Sequence, residues 1–170
     1  MATWWWRAIP KFVPDDVAAA KAAALRLLAA RARSAQELER RLLRRGFAPA
    51  VVAEVVAWCH GLGYLDDEQF AEDWIRARVG RYNGRRRIEH ELREKGIPRD
   101  VVRRKLAELV SDEDELASCL ELARRQYSRV GDLPPEVRRR RVSGFLLRRG
   151  FSPEAVQRAL AQVDSDYESH

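Results

Sequence analysis

Few side chains in this sequence combine a reactive type with a spacing that suits catalysis. Cys59 and His60 are adjacent, and adjacent residues on an α-helix point about 100° apart, so they do not face each other as a nucleophile and its base would. We therefore interpret Cys59 as a buried thiol beside a histidine at a helix end. Asp66 and Asp67 allow two interpretations: a pair of catalytic carboxylates, or an N-cap and a first-turn acid that the helix dipole favours.

Metal-binding and nucleotide-binding signatures are also missing from the sequence. His90 stands between Glu89 and Glu91, with no second histidine at the spacing of a metal site. Neither a Walker-type lysine motif nor a dinucleotide-binding glycine motif occurs. The two cysteines, Cys59 and Cys119, are predicted to be reduced and buried. The sequence thus predicts a cytoplasmic protein that is not an enzyme and that uses no metal and no cofactor.

Arginine carries most of the remaining chemistry. The 170 residues include 32 Lys+Arg and 26 Asp+Glu, a formal net charge of +6, which favours a polyanionic or acidic partner. A guanidinium pairs bidentately with a carboxylate as well as with a phosphate, so nucleic acid and an acidic protein surface both stay open as partners.

The segment "GRRRIEHELREKG", Gly84 to Gly96, shows two interpretations of these arginines. Its alternating charges form i,i+4 rows of the kind found on solvated helix faces, worth about 0.2–0.5 kcal/mol per pair. That explanation does not extend to Arg85, Arg86 and Arg87, because three cations crowd a first helical turn where the helix dipole disfavours them. No structural role within the fold accounts for these three arginines, and we expect them to contact a partner.

Equivalent helices elsewhere in the chain are also basic, and their arginines are either solvated or further partner contacts. These candidates are Arg40, Arg41, Arg44, Arg45, Arg138, Arg139, Arg140 and Arg141. Three more arginines recur in register near helix ends, where contact with a partner competes with capping of carbonyls or pairing with acids such as Glu37. These secondary candidates are Arg31, Arg78 and Arg124.

The elements that must position these side chains repeat along the chain. Gly46, Gly96 and Gly150 each follow apolar residues at helical spacing and precede Phe or Ile, a pattern typical of a left-handed C-cap. One more helix follows each glycine, and another lies upstream in "ALRLLAAR", "AEDWIRAR" and "ASCLELAR". The predicted helix starts are Asp66 with Gln69, Asp112 with Glu115, Ser34 with Glu37, Ser152 with Pro153, and Gly84.

The sequence therefore predicts an all-α chain of three tandem three-helix repeats, at residues 17–63, 64–110 and 111–164. A unit of about fifty residues has a thin core, so we expect the repeats to stack into an elongated curved array. Residues 1–16 are assigned to a tryptophan-rich leader and 165–170 to a C-terminal tail. The third repeat is predicted to have a longer connection between helices, or a hinge, around "SRVGDLPPE". Without sustained heptads, a monomer is expected.

The leader "MATWWWRAIPKF" is too short, and too soon interrupted by Arg7 and Pro10, for a signal peptide or a membrane span. Its residues Trp4, Trp5 and Trp6 have three interpretations: an aromatic anchor for a partner, a segment that folds back on the core, or a disordered terminus.

Three segments carry motifs beyond the helical pattern: "LAARARSAQELERRLLRRGF" (Leu28 to Phe47), "GLGYLDDEQFAEDWIRAR" (Gly61 to Arg78) and "NGRRRIEHELREKGI" (Asn83 to Ile97). Together they resemble the RecX family, regulatory proteins of the bacterial RecA recombinase. The resemblance implies three tandem three-helix repeats in a curved array. It also implies a protein that lies in the groove of the RecA–DNA filament, inhibits ATP hydrolysis and strand exchange, and promotes filament disassembly.

Two functional hypotheses follow. The leading one is a regulator that binds the RecA filament through its aligned basic helices and weakens the RecA ATPase. The alternative is a sequence-independent DNA-binding array, suggested by the net charge and by helices that resemble helix-turn-helix units. A plain scaffold for another protein is a third hypothesis.

Overall fold

A computed structural model describes residues 16–168, and within this range the chain forms α-helices and no strand. The helices are α1 (Val17–Ala30), α2 (Ala35–Arg44), α3 (Pro49–Gly61), α4 (Asp67–Val79), α5 (Arg85–Glu94), α6 (Arg99–Leu109), α7 (Asp112–Arg129), α8 (Pro135–Arg148) and α9 (Pro153–Glu168). The predicted all-α class and the three helices per repeat are confirmed. Trp4, Trp5 and Trp6 lie outside the described residues.

The second helix of each repeat ends at the predicted glycine. Gly46, Gly96 and Gly150 have φ of 90°, 80° and 87°, in the left-handed region that a residue with a Cβ rarely adopts. The residue after each glycine is buried, and its N–H donates back to a leucine carbonyl of the last turn. These bonds are Phe47 N to Leu42 O (3.4 Å), Ile97 N to Leu92 O (3.1 Å) and Phe151 N to Leu146 O (3.3 Å). The apolar recurrence in the sequence thus marks the helix ends.

Side chains cap three of the helix starts where the sequence predicts them. Ser34 Oγ accepts from the N–H of Glu37 at 3.1 Å, Asp66 Oδ1 from that of Gln69 at 2.9 Å, and Ser152 Oγ from that of Ala155 at 3.2 Å. Gly84 is the N-cap of α5, also as predicted, and contributes no side-chain bond.

The predicted start of α7 is wrong by one residue. Ser111, rather than Asp112, is the N-cap: its hydroxyl accepts from the N–H of Asp114 at 3.0 Å, and the Asp114 carboxylate accepts from the N–H of Ser111 at 3.1 Å. Glu115 is therefore not a member of the capping box, and its carboxylate makes other bonds.

The chain divides into two compact units, Met1–Phe70 and Ala71–His170. The first unit contains α1 to α3 and the first turn of α4, and its core is formed by apolar side chains of α1, α2 and α3 together with Phe47 and Leu65. The second unit contains the rest of α4 and α5 to α9. Its largest cluster includes buried Tyr127, Leu146 and Phe151, and Ile75, Ile88 and Leu92 of the second repeat are also fully buried.

Two predictions about the third repeat need correction. The connection between α7 and α8 covers only residues 130–134, because the extra residues of this repeat lengthen the helices instead: α7 has 18 residues and α8 has 14, against 13 in α4 and 10 in α5. Helix α9 continues to Glu168 through most of the stretch assigned to a tail. Tyr167 packs against Tyr127 there, with ring centroids 5.5 Å apart.

Candidate partner-binding surface

Helix α5 begins against the backbone of the third repeat. The N–H of Gly84 donates to the carbonyl of Arg149 at 2.9 Å, and the N–H of Arg86 donates to that of Gly150 at 3.1 Å. A Cβ on Gly84 would overlap backbone atoms of Gly150 and Phe151. Glycine at this N-cap therefore permits a close approach between two repeats, and the third repeat supplies acceptors that a capping side chain would otherwise provide.

A buried carboxylate completes this contact between the second and third repeats, which we call a joint. Glu115 is 5% exposed, and its Oε1 accepts from the N–H of Arg85 at 3.2 Å and from the N–H of Ser152 at 3.4 Å. The hydroxyl of Ser152 donates to its Oε2 at 3.2 Å. A single negative charge thus lies at the N-termini of both α5 and α9, where helix dipoles favour an anion.

The side chain of Arg85 belongs to the same joint. Its Nη1 lies 2.5 Å from Asp112 Oδ1, and its Nη2 donates to the carbonyl of Val110. The side chain is 29% exposed. The interpretation that Arg85 has no structural role within the fold is wrong. Two acids of the next repeat, Asp112 and Glu115, compensate a cation at this helix start.

Arg86 and Arg87 have different surroundings. The Nε of Arg87 donates to Glu91 Oε1 at 3.0 Å, an i,i+4 pair within α5. Arg86 is exposed, and its guanidinium forms no ion pair with any residue in 16–168. Of the three arginines, Arg86 is the one with a guanidinium that the described part of the chain does not use.

Glu91 is the centre of a polar cluster within the second unit. Its carboxylate accepts from Arg78 Nε at 2.5 Å, Arg87 Nε at 3.0 Å and Trp74 Nε1 at 3.1 Å. Partial burial opposes ionisation, but the hydrogen bonds from Arg78, Arg87 and Trp74 outweigh it and hold the pKa of Glu91 below its ordinary value. The guanidinium of Arg78 also stacks over the Trp74 ring, 4.2 Å from its centroid.

The three secondary candidates are all paired with acids. Arg31 forms a bidentate pair with Glu37, with both N–O distances 3.1 Å, and Arg78 pairs with Glu91. In the third repeat, Arg124 Nη2 lies 2.9 Å from Asp166 of α9. In the structure these three recurring arginines pair with acids, which is one of the alternatives that the sequence left open.

The arginines of α8 repeat the arrangement of α5. Arg139 occupies the register of Arg85, eleven residues before the helix-ending glycine, and it too pairs with an acid, Asp164. Arg138 stacks over the rings of Tyr127 and Tyr167, 5.4 Å and 5.1 Å from their centroids. Arg140, in the register of Arg86, and Arg141 are exposed, and neither forms an ion pair within residues 16–168.

A surface cleft recurs beside these arginines. One cleft of about 700 Å³ lies between α5 and α6 and includes Arg85 and Leu106 in its lining. The other, of about 330 Å³, lies between α8 and α9 and includes Arg139, Arg140 and Leu160. Since Arg85 and Arg139, and likewise Leu106 and Leu160, occupy matching register positions, the second and third repeats present equivalent surfaces.

The first repeat carries its positive charge differently. Ala35, Gln36 and Glu37 occupy the register positions of the arginine triplets. The arginines of α2 and of its C-cap lie farther along the chain and are all exposed: Arg40, Arg41, Arg44 and Arg45. Arg40 donates to Gln36 Oε1, and Arg44 Nε donates to the Arg40 carbonyl at 3.3 Å.

The two cysteines, His60 and Asp67 lie in environments that suit a structural role. Burial raises the pKa of the Cys119 thiol to about 12 and that of Cys59 above its ordinary value, so both stay protonated at neutral pH. His60 Nδ1 lies 3.1 Å from the carbonyl oxygen of Leu65. Asp67 accepts from the N–H of Ala35 at 2.9 Å. No group of three or more potential metal ligands from His, Cys, Asp and Glu occurs within residues 16–168.

Sequence reasoning missed the bonds that join successive repeats. In each of two joints, the first N–H of a second helix donates to a first-turn acid of the next first helix: Ala35 to Asp67, and Arg85 to Glu115. The acids were visible as first-turn residues, but only their distances to Ala35 and Arg85 in space reveal the pairing. Arg33, whose Nε donates to the Leu27 carbonyl at 3.0 Å, was also missed.

Comparison with known proteins agrees with this repeat organisation. Models of the first, second and third three-helix domains of RecX match residues 20–59, 66–106 and 112–160. The chain belongs to the RecX family. The matched domains contain α5 and the Gly150 turn, so the joint described above lies within the RecX part of the chain. The module boundaries drawn from the sequence, at residues 17–63, 64–110 and 111–164, stay a prediction.

Relatives of similar length share the sequence over most of the chain. The regulatory protein RecX of Mycobacterium sp. (strain KMS) is 37% identical over 147 residues, which cover 84% of this chain and 80% of that protein. The regulatory protein RecX of Halorhodospira halophila is 37% identical over 151 residues, covering 88% and 91%. A crystal structure of RecX from Lactobacillus salivarius has the same fold, with a TM-score of 0.81 at 22% identity, covering 88% of this chain and 97% of that one.

Among the described residues, no helix combines the length and the apolar composition needed to cross a membrane.

Proposed function

We propose that this protein is a non-catalytic regulator that binds the RecA–DNA filament and inhibits RecA ATP hydrolysis and strand exchange. It acts in the cytoplasm, as a monomer and without a cofactor. The observation that carries the proposal is membership of the RecX family across all three repeats, whose relatives are named regulatory proteins.

The exposed arginines support a filament as the partner. Arg86 and Arg140 occupy the same register in successive repeats, and both are exposed. Arg140 lines the cleft between α8 and α9, and Arg86 is the neighbour of Arg85, which lines the equivalent cleft between α5 and α6. A filament presents the same anionic groups again at each subunit, so equivalent arginines can make equivalent contacts. Two modest contacts made together bind more tightly than either contact alone.

The test is RecA-catalysed ATP hydrolysis on single-stranded DNA with purified protein added. We expect a progressive loss of hydrolysis that nears completion at stoichiometric protein, and a parallel loss of strand exchange. An unchanged rate at that concentration would contradict the proposal.

A matched pair of double variants locates the contact. Arg86→Ala with Arg140→Ala should raise the concentration needed for inhibition about a hundredfold, as expected for losing two charged contacts of about 1.5 kcal/mol each, or about 3 kcal/mol together. The control is Arg76→Ala with Arg125→Ala, which removes the same charge from exposed arginines that pair with Glu72 and Glu121. Equal effects of the two doubles would point to net charge instead of this surface.

A second candidate function is sequence-independent DNA binding without RecA. The exposed arginines of the first repeat favour this candidate. They do not occupy the register positions of the arginine triplets in α5 and α8, so they need not bind the same partner groups. Tight, strongly salt-dependent binding to naked DNA, together with no effect on RecA, would support this candidate over the first.

A further inference from the structure

The connection between α4 and α5, residues 80–84, is bound to the end of α8 by one residue of the third repeat. Arg149 is the C-cap of α8. Its Nε donates to the carbonyl of Tyr82 at 3.1 Å, and its Nη2 donates to the carbonyl of Arg81. The backbone carbonyl of Arg149 also accepts the N–H of Gly84 at 2.9 Å. Arg149 therefore binds this connection through both its side chain and its main chain.

The connection has two unfavourable features. Tyr82 has φ of 55°, and no other non-glycine residue among those that the structure describes has a positive φ. A left-handed backbone costs free energy for a residue with a Cβ. Asn83 is 8% exposed, and its Oδ1 is shielded from solvent without a hydrogen-bond partner, which is also unfavourable. Contacts from elsewhere in the second unit must compensate both costs.

The third repeat supplies those contacts. The ring of Tyr82 packs against the apolar core of that repeat, and its hydroxyl donates to Glu121 Oε1 of α7 at 2.8 Å. The guanidinium of Arg125 lies over the same ring, 4.9 Å from its centroid. Arg149 adds its two side-chain bonds. Because Arg149 forms no ion pair within residues 16–168, the hydrogen bonds of its guanidinium go to this connection alone.

The contact of this connection with α8 also decides where two exposed arginines lie. Arg86 comes two residues after Gly84, at the start of α5, and Arg140 lies on α8, the helix that Arg149 caps. The distance between Arg86 and Arg140 therefore depends on how the connection lies against the end of α8.

We propose that Arg149 is a positioning residue. Its bonds to the carbonyls of Arg81 and Tyr82 hold the second and third repeats at one angle, and this angle fixes the spacing of Arg86 and Arg140. The inference rests on the proposed function, in which those two arginines bind equivalent groups of a repeating filament. Two linked contacts strengthen each other only when the geometry lets both form at once. Loss of the Arg149 guanidinium should therefore weaken binding, although Arg149 itself contacts no partner.

The first experiment measures the geometry without RecA. Nitroxide labels on His90→Cys in α5 and Gln162→Cys in α9 report the distance between the second and third repeats by double electron–electron resonance. Both positions are exposed, whereas the native Cys59 and Cys119 are buried, so the labels react at the introduced thiols.

Arg149→Ala should broaden the distribution of label distances relative to wild type, because the connection loses the donors to two of its carbonyls. Arg148→Ala is the matched control. Arg148 is the preceding residue, is exposed, and forms no ion pair within the described part of the chain, so the same loss of charge should leave the distribution unchanged. Equal distributions for the two variants would overturn the proposal.

Circular dichroism establishes that each variant is folded at the temperature of the measurement. Arg149→Lys keeps the charge and can still donate to a carbonyl, so it should broaden the distribution less than Arg149→Ala. It replaces Arg149→Ala, with Arg148→Lys as its control, if the alanine variant does not fold.

The second experiment measures inhibition of RecA ATP hydrolysis. Arg149→Ala should raise the concentration needed for inhibition about tenfold, since part of the gain from linking two contacts is lost, and Arg148→Ala should leave it near the wild-type value. Added to Arg86→Ala with Arg140→Ala, Arg149→Ala should have little further effect, because spacing is irrelevant once both contacts are gone. A full additional loss would overturn the positioning role, since a general structural defect acts whether or not those arginines are present.

The two experiments distinguish failure of this inference from failure of the proposed function. Unchanged RecA hydrolysis with the wild-type protein would contradict the proposed function, and the role of Arg149 in filament binding would fail with it. The label distances would still decide whether Arg149 holds the two repeats at one angle. Inhibition by the wild type, together with equally good inhibition by Arg149→Ala, would leave the proposed function standing and overturn this inference.

Discussion

The N-cap of helix α2 is Ser34, whose own hydroxyl accepts the N–H of Glu37, whereas the N-cap of helix α5 is Gly84, which has no side chain to offer. The N–H groups at the start of α5 instead find acceptors in the third repeat, at the carbonyls of Arg149 and Gly150. Both helices nevertheless send their first N–H to a first-turn acid of the following helix, Asp67 for α2 and Glu115 for α5.

A basic residue at a helix start can have its structural explanation in the neighbouring repeat. A cation in the first turn is unfavourable for an isolated helix, but Asp112 and Glu115 of the third repeat compensate Arg85. A basic helix start is therefore no evidence of an external partner until the neighbouring repeat has been considered. The equivalent position in α2 is Ala35, an uncharged residue.

Helices α2 and α5 have equivalent buried positions, each within its own unit, and we expect the two helices to differ only at their starts. Leu42→Ala and Leu92→Ala remove equivalent, fully buried side chains, and each should lower the free energy of unfolding by about 2–5 kcal/mol. Guanidinium unfolding followed by circular dichroism measures both. A loss under about 1 kcal/mol for either variant would contradict the equivalence of the two buried positions, given the usual cost of such cavities.

Gly84→Ala tests the close approach at the start of α5. The added Cβ would overlap the backbone of Gly150 and Phe151, so the free energy of unfolding should fall by about 3 kcal/mol, the upper range for overpacking. Gly61→Ala is the control, because a Cβ there meets no atom within 4 Å. Equal stabilities of the two variants in the same unfolding measurement would mean that the repeats do not approach as described.

The two acids at the joints provide a finer comparison. Glu115→Gln replaces a 5% exposed carboxylate that accepts three hydrogen bonds, and it should cost about 2 kcal/mol of stability. Asp67→Asn, at a more exposed position, should cost about 0.5–1 kcal/mol. Thermal unfolding at neutral pH ranks the two variants, and the reverse order would show that burial does not distinguish the joints.

The smallest effect expected is a pH dependence at Glu91. Its pKa in the folded protein lies below the ordinary value of 4.5, so its ionised form stabilises the fold fully above that pH, and the contribution is lost as the pH falls toward the folded-state pKa. Glu91→Gln should be about 1 kcal/mol less stable than wild type at neutral pH, allowing for partial exposure of its partners.

Urea unfolding of both proteins at several pH values between about 7 and 3 tests this expectation. The difference in stability should shrink on the acidic side. A difference that stays constant across the range would exclude ionisation of Glu91 as its source.

The sequence predicts the helical scaffold well because its determinants are local. The apolar recurrence around Gly46, Gly96 and Gly150 is a matter of spacing within one helix, and the caps at Ser34, Asp66 and Ser152 need only residues three positions away. The start of α7 was misplaced because Ser111 and Asp112 are adjacent and both suit an N-cap.

The candidate surface was predicted less well, because pairing across repeats has no local signal. Nothing near Arg85 in the sequence indicates that Asp112 lies 2.5 Å away, or that Arg139 pairs with Asp164. Charge type and register select a group of arginines whose contact with a partner stays a prediction. Three-dimensional packing then separates those that hold the scaffold together from Arg86, Arg140 and Arg141, which it leaves exposed.

The capping of α5 by the third repeat also sets an order for folding during protein synthesis. The carbonyl groups that receive the N–H groups of Gly84 and Arg86 belong to Arg149 and Gly150, residues that leave the ribosome long after α5 itself. While translation proceeds toward them, the start of α5 has only water to satisfy these donors. The second repeat thus reaches its final form only when almost the whole chain has been made, so a protein truncated before Arg149 would leave this helix start incomplete.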